Sequence, residues 1–246
     1  MDCKQKIIRY GLVFSLFFIS QLAEAELTAF TAIYKLHSLG ITQATATNRL
    51  SINNNHYHFE SHIQPVGWIG IINNADRYEV SEGLLINNQL SPKKYSYQHS
   101  ERLKENRQVE VSFDNRQKKI TNFHKHINNK WKMNSVNQVQ DRLSSQLSLM
   151  LALQQSGIPS MKQHFVFSIA DGGRLKQYSF NIIAEEKLET PLGSLNTIKL
   201  EHQRSTQEGL MIIWCAEEFA YLPVKIIHKQ TDFPDYISII DSYTKQ

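Results

Sequence analysis

IADGGRLKQYSF, residues 169–180, sets an Asp, two glycines and an Arg between two apolar runs. A dinucleotide-binding loop needs G-x-G-x-x-G opening a helix, and a phosphate P-loop needs a Lys followed by Ser or Thr. Neither spacing is present, and the residues after Gly173 alternate as a strand does. Asp171-Gly172-Gly173 therefore reads as a tight hairpin turn, with Arg174 and Lys176 on the wet face.

The same signal recurs along the chain. Asn53-Asn54-Asn55, Asn73-Asn74, Asn87-Asn88, Asp114-Asn115 and Asn128-Asn129 each separate stretches of β character. Asn tolerates left-handed backbone better than most residues, which two-residue hairpin turns require. The flanks alternate with period two. FTAIYKLH puts Phe30, Ala32, Tyr34 and Leu36 on one face, and HYHFESHI puts Tyr57, Phe59 and Ser61 opposite His56, His58 and Glu60. One face packed and one wet is the mark of an antiparallel sheet or barrel wall. A single segment departs from this. NQVQDRLSSQLSLMLALQQSGIP spaces Val139, Leu143, Leu147, Met150, Leu151 and Gln154 close to helical period, with Gly157 and Pro159 as stop signals. It predicts a helix from about Gln138 to Ser156 whose apolar stripe lies on the sheet. The expected fold is mainly β: a strongly curved antiparallel sheet or incomplete β-barrel, wound as a meander, with one central packed helix.

The first 25 residues have the layout of a secretory signal. Lys4, Lys6 and Arg9 are followed by an apolar run from Gly11 to Ser20 and by Ala23-Glu24-Ala25, and the run is too short to span a bilayer. Cleavage after Ala25 would leave a single β-rich domain over 26–246, soluble and exported to a bacterial periplasm. Of two cysteines, Cys3 leaves with the signal. Cys215 then has no intrachain disulfide partner and reads as a small buried hydrophobe. The formal charge of +4 is spread out rather than clustered, so nucleic acid is not an expected partner.

Catalytic motifs are missing. There is no G-x-S-x-G, and Ser144-Ser145 falls inside the helix. Asp171, Glu185, Glu186 and Glu189 are carboxylates near turns whose separation the sequence does not set. The pairs His56/His58 and His124/His126 could hold Zn or Cu if the sheet brought them together. Neither Cys nor H-E-x-x-H accompanies them, so solvated strand positions are the preferred reading, and no metal or other cofactor is expected. Trp131 and Trp214 read as core aromatics. PVGWIGIINNADRY, residues 65–78, is neither alternating nor helical. Val66, Trp68, Ile69, Ile71 and Ile72, broken by Gly67 and Gly70, form an apolar loop suited to covering a cavity or meeting a lipid surface. They are the candidate ligand-binding residues; the alternative is that the loop folds inward and caps the core.

Several stretches together resemble a bacterial exported family, domain of unknown function 3108: FTAIYKLHSLGI, LSPKKYSYQHS, VSFD, QDRLSSQLSL, ADGGRLKQYSF, ETPLGSLNTIKLE and YLPVKI. The resemblance spans almost all of the chain after the signal. It implies a β-rich envelope protein without an established activity or catalytic residues, similar in architecture to open barrels that wrap a helix or an apolar ligand. It also matches Asp141 to the acidic residue that opens the family's helix, where it satisfies free backbone N–H groups. The leading expectation is a non-enzymatic binding or carrier module that holds an apolar or amphipathic envelope molecule, such as a lipid. A structural or protein-interaction module with a filled barrel and an envelope protein partner is the runner-up. An envelope hydrolase using carboxylates or a His-bound metal is third.

Overall fold

The computed structural model describes residues 26–68, 75–101, 104–157, 161, 163–203, 209–230 and 232–246. The proposed signal (1–25), the Asn73-Asn74 turn and Ile69, Ile71 and Ile72 lie outside them. The first arm of the chain runs through β1 (Phe30–Ser38), β2 (Ile41–Asn53), β3 (His56–Pro65), β4 (Asp76–Ile86), β5 (Gln89–Glu101), β6 (Lys104–Asp114), β7 (Lys119–His124) and β8 (Asn129–Asn134). A two-residue strand β9 (Gln140–Asp141) and a helix α1 (Ser144–Gln155) follow. The second arm comprises β10 (His164–Asp171), β11 (Arg174–Thr190), β12 (Gly193–Gln203), β13 (Leu210–Ala216), β14 (Leu222–Lys229) and β15 (Tyr236–Lys245).

All fifteen described strands form one sheet, in the order β8-β7-β6-β5-β4-β3-β2-β1-β15-β14-β13-β12-β11-β10-β9. Each arm is a meander of antiparallel neighbours. The arms join where β1 pairs with β15, Phe30 opposite Lys245, and β9 adds a short parallel rung beside β10. Turn chemistry explains the meander. Asn54, Asn55, Asn87 and Asn88 all have left-handed backbone, with φ between +46° and +64°. In the opening stretch, Asp171 pairs with Arg174 across a turn in which Gly172 and Gly173 have φ of +59° and +75°. Register shifts in the ladders, at Ile33/Tyr34, Glu82/Gly83 and Trp214/Cys215 among others, bend the strands and curl the sheet.

Inward positions follow the expected alternation. Phe30, Ala32 and Tyr34 of β1 and Tyr57 and Phe59 of β3 are at most 3% exposed. The helix differs from its expectation in two ways. It begins at Ser144 rather than near Gln138, because Gln138 has φ +55° and Gln140–Asp141 is held as strand by Ile169–Ala170. It also buries more than one stripe. Leu147, Met150 and Leu151 pack in the main core with Tyr57 and Phe59, while Leu149 and Leu153 pack with Phe180, Ile198 and Cys215 in a second cluster. A helix apolar on most faces is a core helix rather than a surface one. It touches β5 of one arm and β9 and β10 of the other, so it fills the gap between the arms. Gln155 Nε2 donates to the Asn88 carbonyl and Gln154 Nε2 to that of Ala220.

Trp214 and Cys215 are buried as expected, and burial pushes the Cys215 thiol pKa up. Trp131 is only half-buried. From the edge strand β8 it reaches the far arm, its indole N–H donating to the Gly173 carbonyl at 3.4 Å. Its place is at the seam of the barrel, because an edge strand has no further strand to cover its side chains.

Candidate ligand-binding site

Burying an aspartate needs a reason, and Asp141 supplies several. Its Oδ1 accepts the backbone N–H groups of Leu143 (2.9 Å) and Ser144 (2.8 Å), and Ser144 Oγ in return accepts the Asp141 N–H. This is a capping box with Ser in the reciprocal position. Oδ2 accepts from Ser81 Oγ of β4 at 2.7 Å, and Ser81 in turn meets the Tyr57 hydroxyl at 3.0 Å. Complete burial raises the Asp141 pKa to about 6, against the opposing pull of these hydrogen bonds. The first turn of α1 is thereby fixed against β4, which determines where the next residue, Arg142, projects.

Arg142 lines a cavity of about 550 Å³ enclosed by both arms. Leu36, Ala46, Ile63, Pro223, Ile226 and Ile237 supply an apolar wall; Asn48, Arg77, Glu79, His99, Arg142 and Gln146 supply a polar one. Alternation explains how charges come to face inward. Arg77 and Glu79 share the inward face of β4 with Ser81, two residues apart each time. Glu79 is 8% exposed in its side chain, accepts the Tyr95 hydroxyl at 2.6 Å and lies 3.5 Å from Arg77 Nε. The Arg142 side chain keeps 39% of its surface, which it presents to the cavity, and its Nε lies 3.8 Å from Asp171 Oδ1. Burial works against the Arg142 charge, but Glu79, Tyr95 and Asp171 facing it outweigh that and raise its pKa above the usual guanidinium value. Asp171, from the opening motif, is also bonded by Lys176 Nζ (2.8 Å) and the Tyr178 hydroxyl (2.9 Å). Burial alone would raise its pKa; these bonds and Arg142 hold it below the usual range. The carboxylate of the hairpin is thus a structural tie to the helix start.

Of the loop residues expected to bind ligand, Val66 is half-buried with its N–H on the Gln43 carbonyl (2.9 Å), and Trp68 is 61% exposed. The cavity runs to their end of the sheet, where Ala75, Gln230 and Tyr236 line it. Neighbouring connections there carry other exposed apolar side chains: Leu39 (77%) and Ile41 after β1, Phe233 (68%) and Tyr236 before and in β15. The ladders set these connections side by side, since Ala44 pairs with Pro65 and His37 with Ile237.

The two H-x-H pairs do not meet. His58 lies on the outer face near Glu60 and Glu82, at 3.8 and 3.6 Å. His124 stacks with His126 and packs edge-on against Trp131, and three strands separate β3 from β7. Among the described residues no three His, Cys, Asp or Glu side chains gather to hold a metal ion. The cavity instead contains His99 and His228. Sequence reasoning did not single out Arg77, Glu79 or Arg142. The inward phase of β4 was available from its alternation, but the position of Arg142 depends on the cap and on the curl of the sheet.

The family described as "Protein of unknown function (DUF3108)" matches residues 30–235, stopping just before β15. The chain belongs to this family. No curated protein matches the DUF3108 chain. Its fold is similar to the crystal structure of a beta-barrel-like protein of domain of unknown function DUF1849 from Brucella abortus. The identity is 7% and the TM-score 0.57, over 90% of this chain and 99% of that one, so the likeness is of fold alone. A solved protein from Parabacteroides distasonis, provisionally named a lipoprotein, aligns over 89% of this chain and 96% of that one, at 8% identity and a TM-score of 0.35. Among the described residues no helix is long and apolar enough to cross a membrane.

Proposed function

We propose that this DUF3108 protein is an exported, non-enzymatic binding or carrier module that holds an apolar or amphipathic envelope molecule inside its curved sheet. The observation that carries this reading is the cavity of about 550 Å³ between the two arms, within the range of small-molecule sites of roughly 300–1,000 Å³. One wall is aliphatic and the other polar, which suits a molecule with two unlike ends. The exposed apolar side chains at its open end, Trp68 among them, support exchange of that molecule with an apolar surface, since such clusters mark interaction sites. The basic, apolar and small-residue pattern of residues 1–25 supports export.

Native mass spectrometry of protein purified gently from a bacterial periplasm, followed by organic extraction, tests the proposal. A co-purifying lipid or other apolar molecule is expected, with its occupancy reduced when Trp68 is changed to Ser. A clean apo mass that stays apo after incubation with extracted envelope lipids would overturn the carrier reading in favour of a protein-interaction module.

A further inference from the structure

The polar wall holds two cations whose donors are largely unused. A guanidinium carries five N–H donors in a planar fork. Neither the Arg77 nor the Arg142 guanidinium makes a hydrogen bond to a described residue; their carboxylate contacts are the longer ones at 3.5 Å to Glu79 and 3.8 Å to Asp171. Both retain more than a third of their side-chain surface, 38% and 39%, and both face the cavity. Glu79 sits behind them, 8% exposed and held by Tyr95. Among the described lining residues it is the one carboxylate against two guanidinium groups, and Asp171, which also faces Arg142, is itself bonded by Lys176.

We infer that the cavity takes an acidic amphiphile, its carboxylate or phosphate head seated on Arg77 and Arg142 and its hydrocarbon chain along Leu36, Ile63, Ile226 and Ile237. This rests on the carrier reading and adds the charge of the ligand. Guanidinium groups match carboxylate and phosphate oxygens bidentately, and such charged hydrogen bonds are the strong ones. Glu79 and Asp171 stand beyond hydrogen-bond distance of these donors or at its limit, and the aliphatic wall has no acceptor, so a ligand's acidic head can take them.

Four probes separate the possibilities by titration calorimetry below micellar concentrations: oleate, 1-oleoyl-lysophosphatidate, monoolein and inorganic phosphate. At least one acidic lipid is expected to bind about tenfold or more tightly than neutral monoolein, the scale of one or two charge-assisted hydrogen bonds. Whichever of the two binds more tightly identifies the head. Arg142→Gln and, separately, Arg77→Gln, which lies on a strand away from the helix cap, should each bring the acidic-to-neutral affinity ratio toward one, with circular dichroism establishing that the variants fold. Equal affinity for acidic and neutral lipids would overturn the inference while leaving the carrier reading intact. Binding of phosphate as tight as that of lysophosphatidate would replace the amphiphile by a free anion. Failure of all four probes would remove both readings.

Discussion

At Gly173 two demands fall on one residue. Its φ of +75° closes the β10–β11 hairpin, and a Cβ there would collide with the ring of Trp131 reaching over from β8. Gly173→Ala is expected to cost about 2 kcal/mol, combining left-handed backbone strain with displacement of the indole; urea unfolding followed by circular dichroism would measure it. Asp141 gives a pH signature. Its pKa rises from 3.8 to about 6 on folding, so the folded state binds the proton more tightly than the unfolded one. Stability is therefore greatest below pH 4 as far as this group is concerned, and falls as pH rises toward 6, by about 3 kcal/mol for a shift of that size. Asp141→Asn should abolish that decline while keeping an acceptor for the Leu143 and Ser144 N–H groups. Asp141→Ala should be less stable than Asp141→Asn by about 2–4 kcal/mol at any pH in this range, since it strips the cap and leaves buried donors unmet while neither variant titrates there. Unfolding curves for both variants between pH 4 and 7 decide the point. The cap came from the family resemblance and not from the residues, whose spacing started the helix near Gln138 and so placed Asp141 inside it. The role of Trp131 was not legible either, since its partner lies on the opposite arm.

Helix α1 shows what periodicity captures and what it misses. The spacing of Leu143, Leu147, Met150 and Leu151 located the element and one buried face. Leu149 and Leu153 lie off that stripe and are equally buried, at 2% and 0%, because the helix has an arm of the sheet on either side. The start was misplaced because Gln140–Asp141 takes its conformation from β10, a partner that no local pattern announces. Since Leu153 packs into the second cluster, with Phe180, Ile198 and Cys215, Leu153→Ala is expected to destabilise the fold by about 3 kcal/mol despite its place outside the apolar stripe. Calorimetric unfolding would check this, and a loss under 1 kcal/mol would mean that the helix is not wedged between the arms. Ser144 and Ser145, which the sequence set inside the helix and away from any catalytic motif, are buried and bonded into its first turn.

At the scale of the molecule, the sheet closes without a closing ladder. Among the described residues its two end strands, β8 and β9, share no ladder; Trp131 of β8 bonds the β10–β11 turn, and α1 packs against β5, β9 and β10. Trp131→Ala should therefore speed amide hydrogen exchange in β7 and β8 by about tenfold or more, while leaving the central pair β1 and β15 slow, since local openings draw on the least supported elements first. Uniform acceleration across the sheet would contradict a local seam. The curved antiparallel sheet was legible from regularly spaced Asn and Gly turns between alternating stretches. The cavity was not, because its size depends on how far the sheet curls, and curl comes from bulges such as Glu82/Gly83 that the alternation does not mark.

The pairing of β1 with β15 also orders assembly in time. Gln246 Nε2 reaches Thr31 Oγ1 across 215 residues of chain, so the joint at the middle of the sheet is the last to become available. The first arm can zip up hairpin by hairpin as it emerges, and so can the second. Until β15 is made and has left the ribosome, β1 and β14 both present bare edges, the kind of surface on which chains stick to one another. If the chain is exported, as proposed, this wiring gives it reason to stay unfolded, escorted, until β15 has crossed.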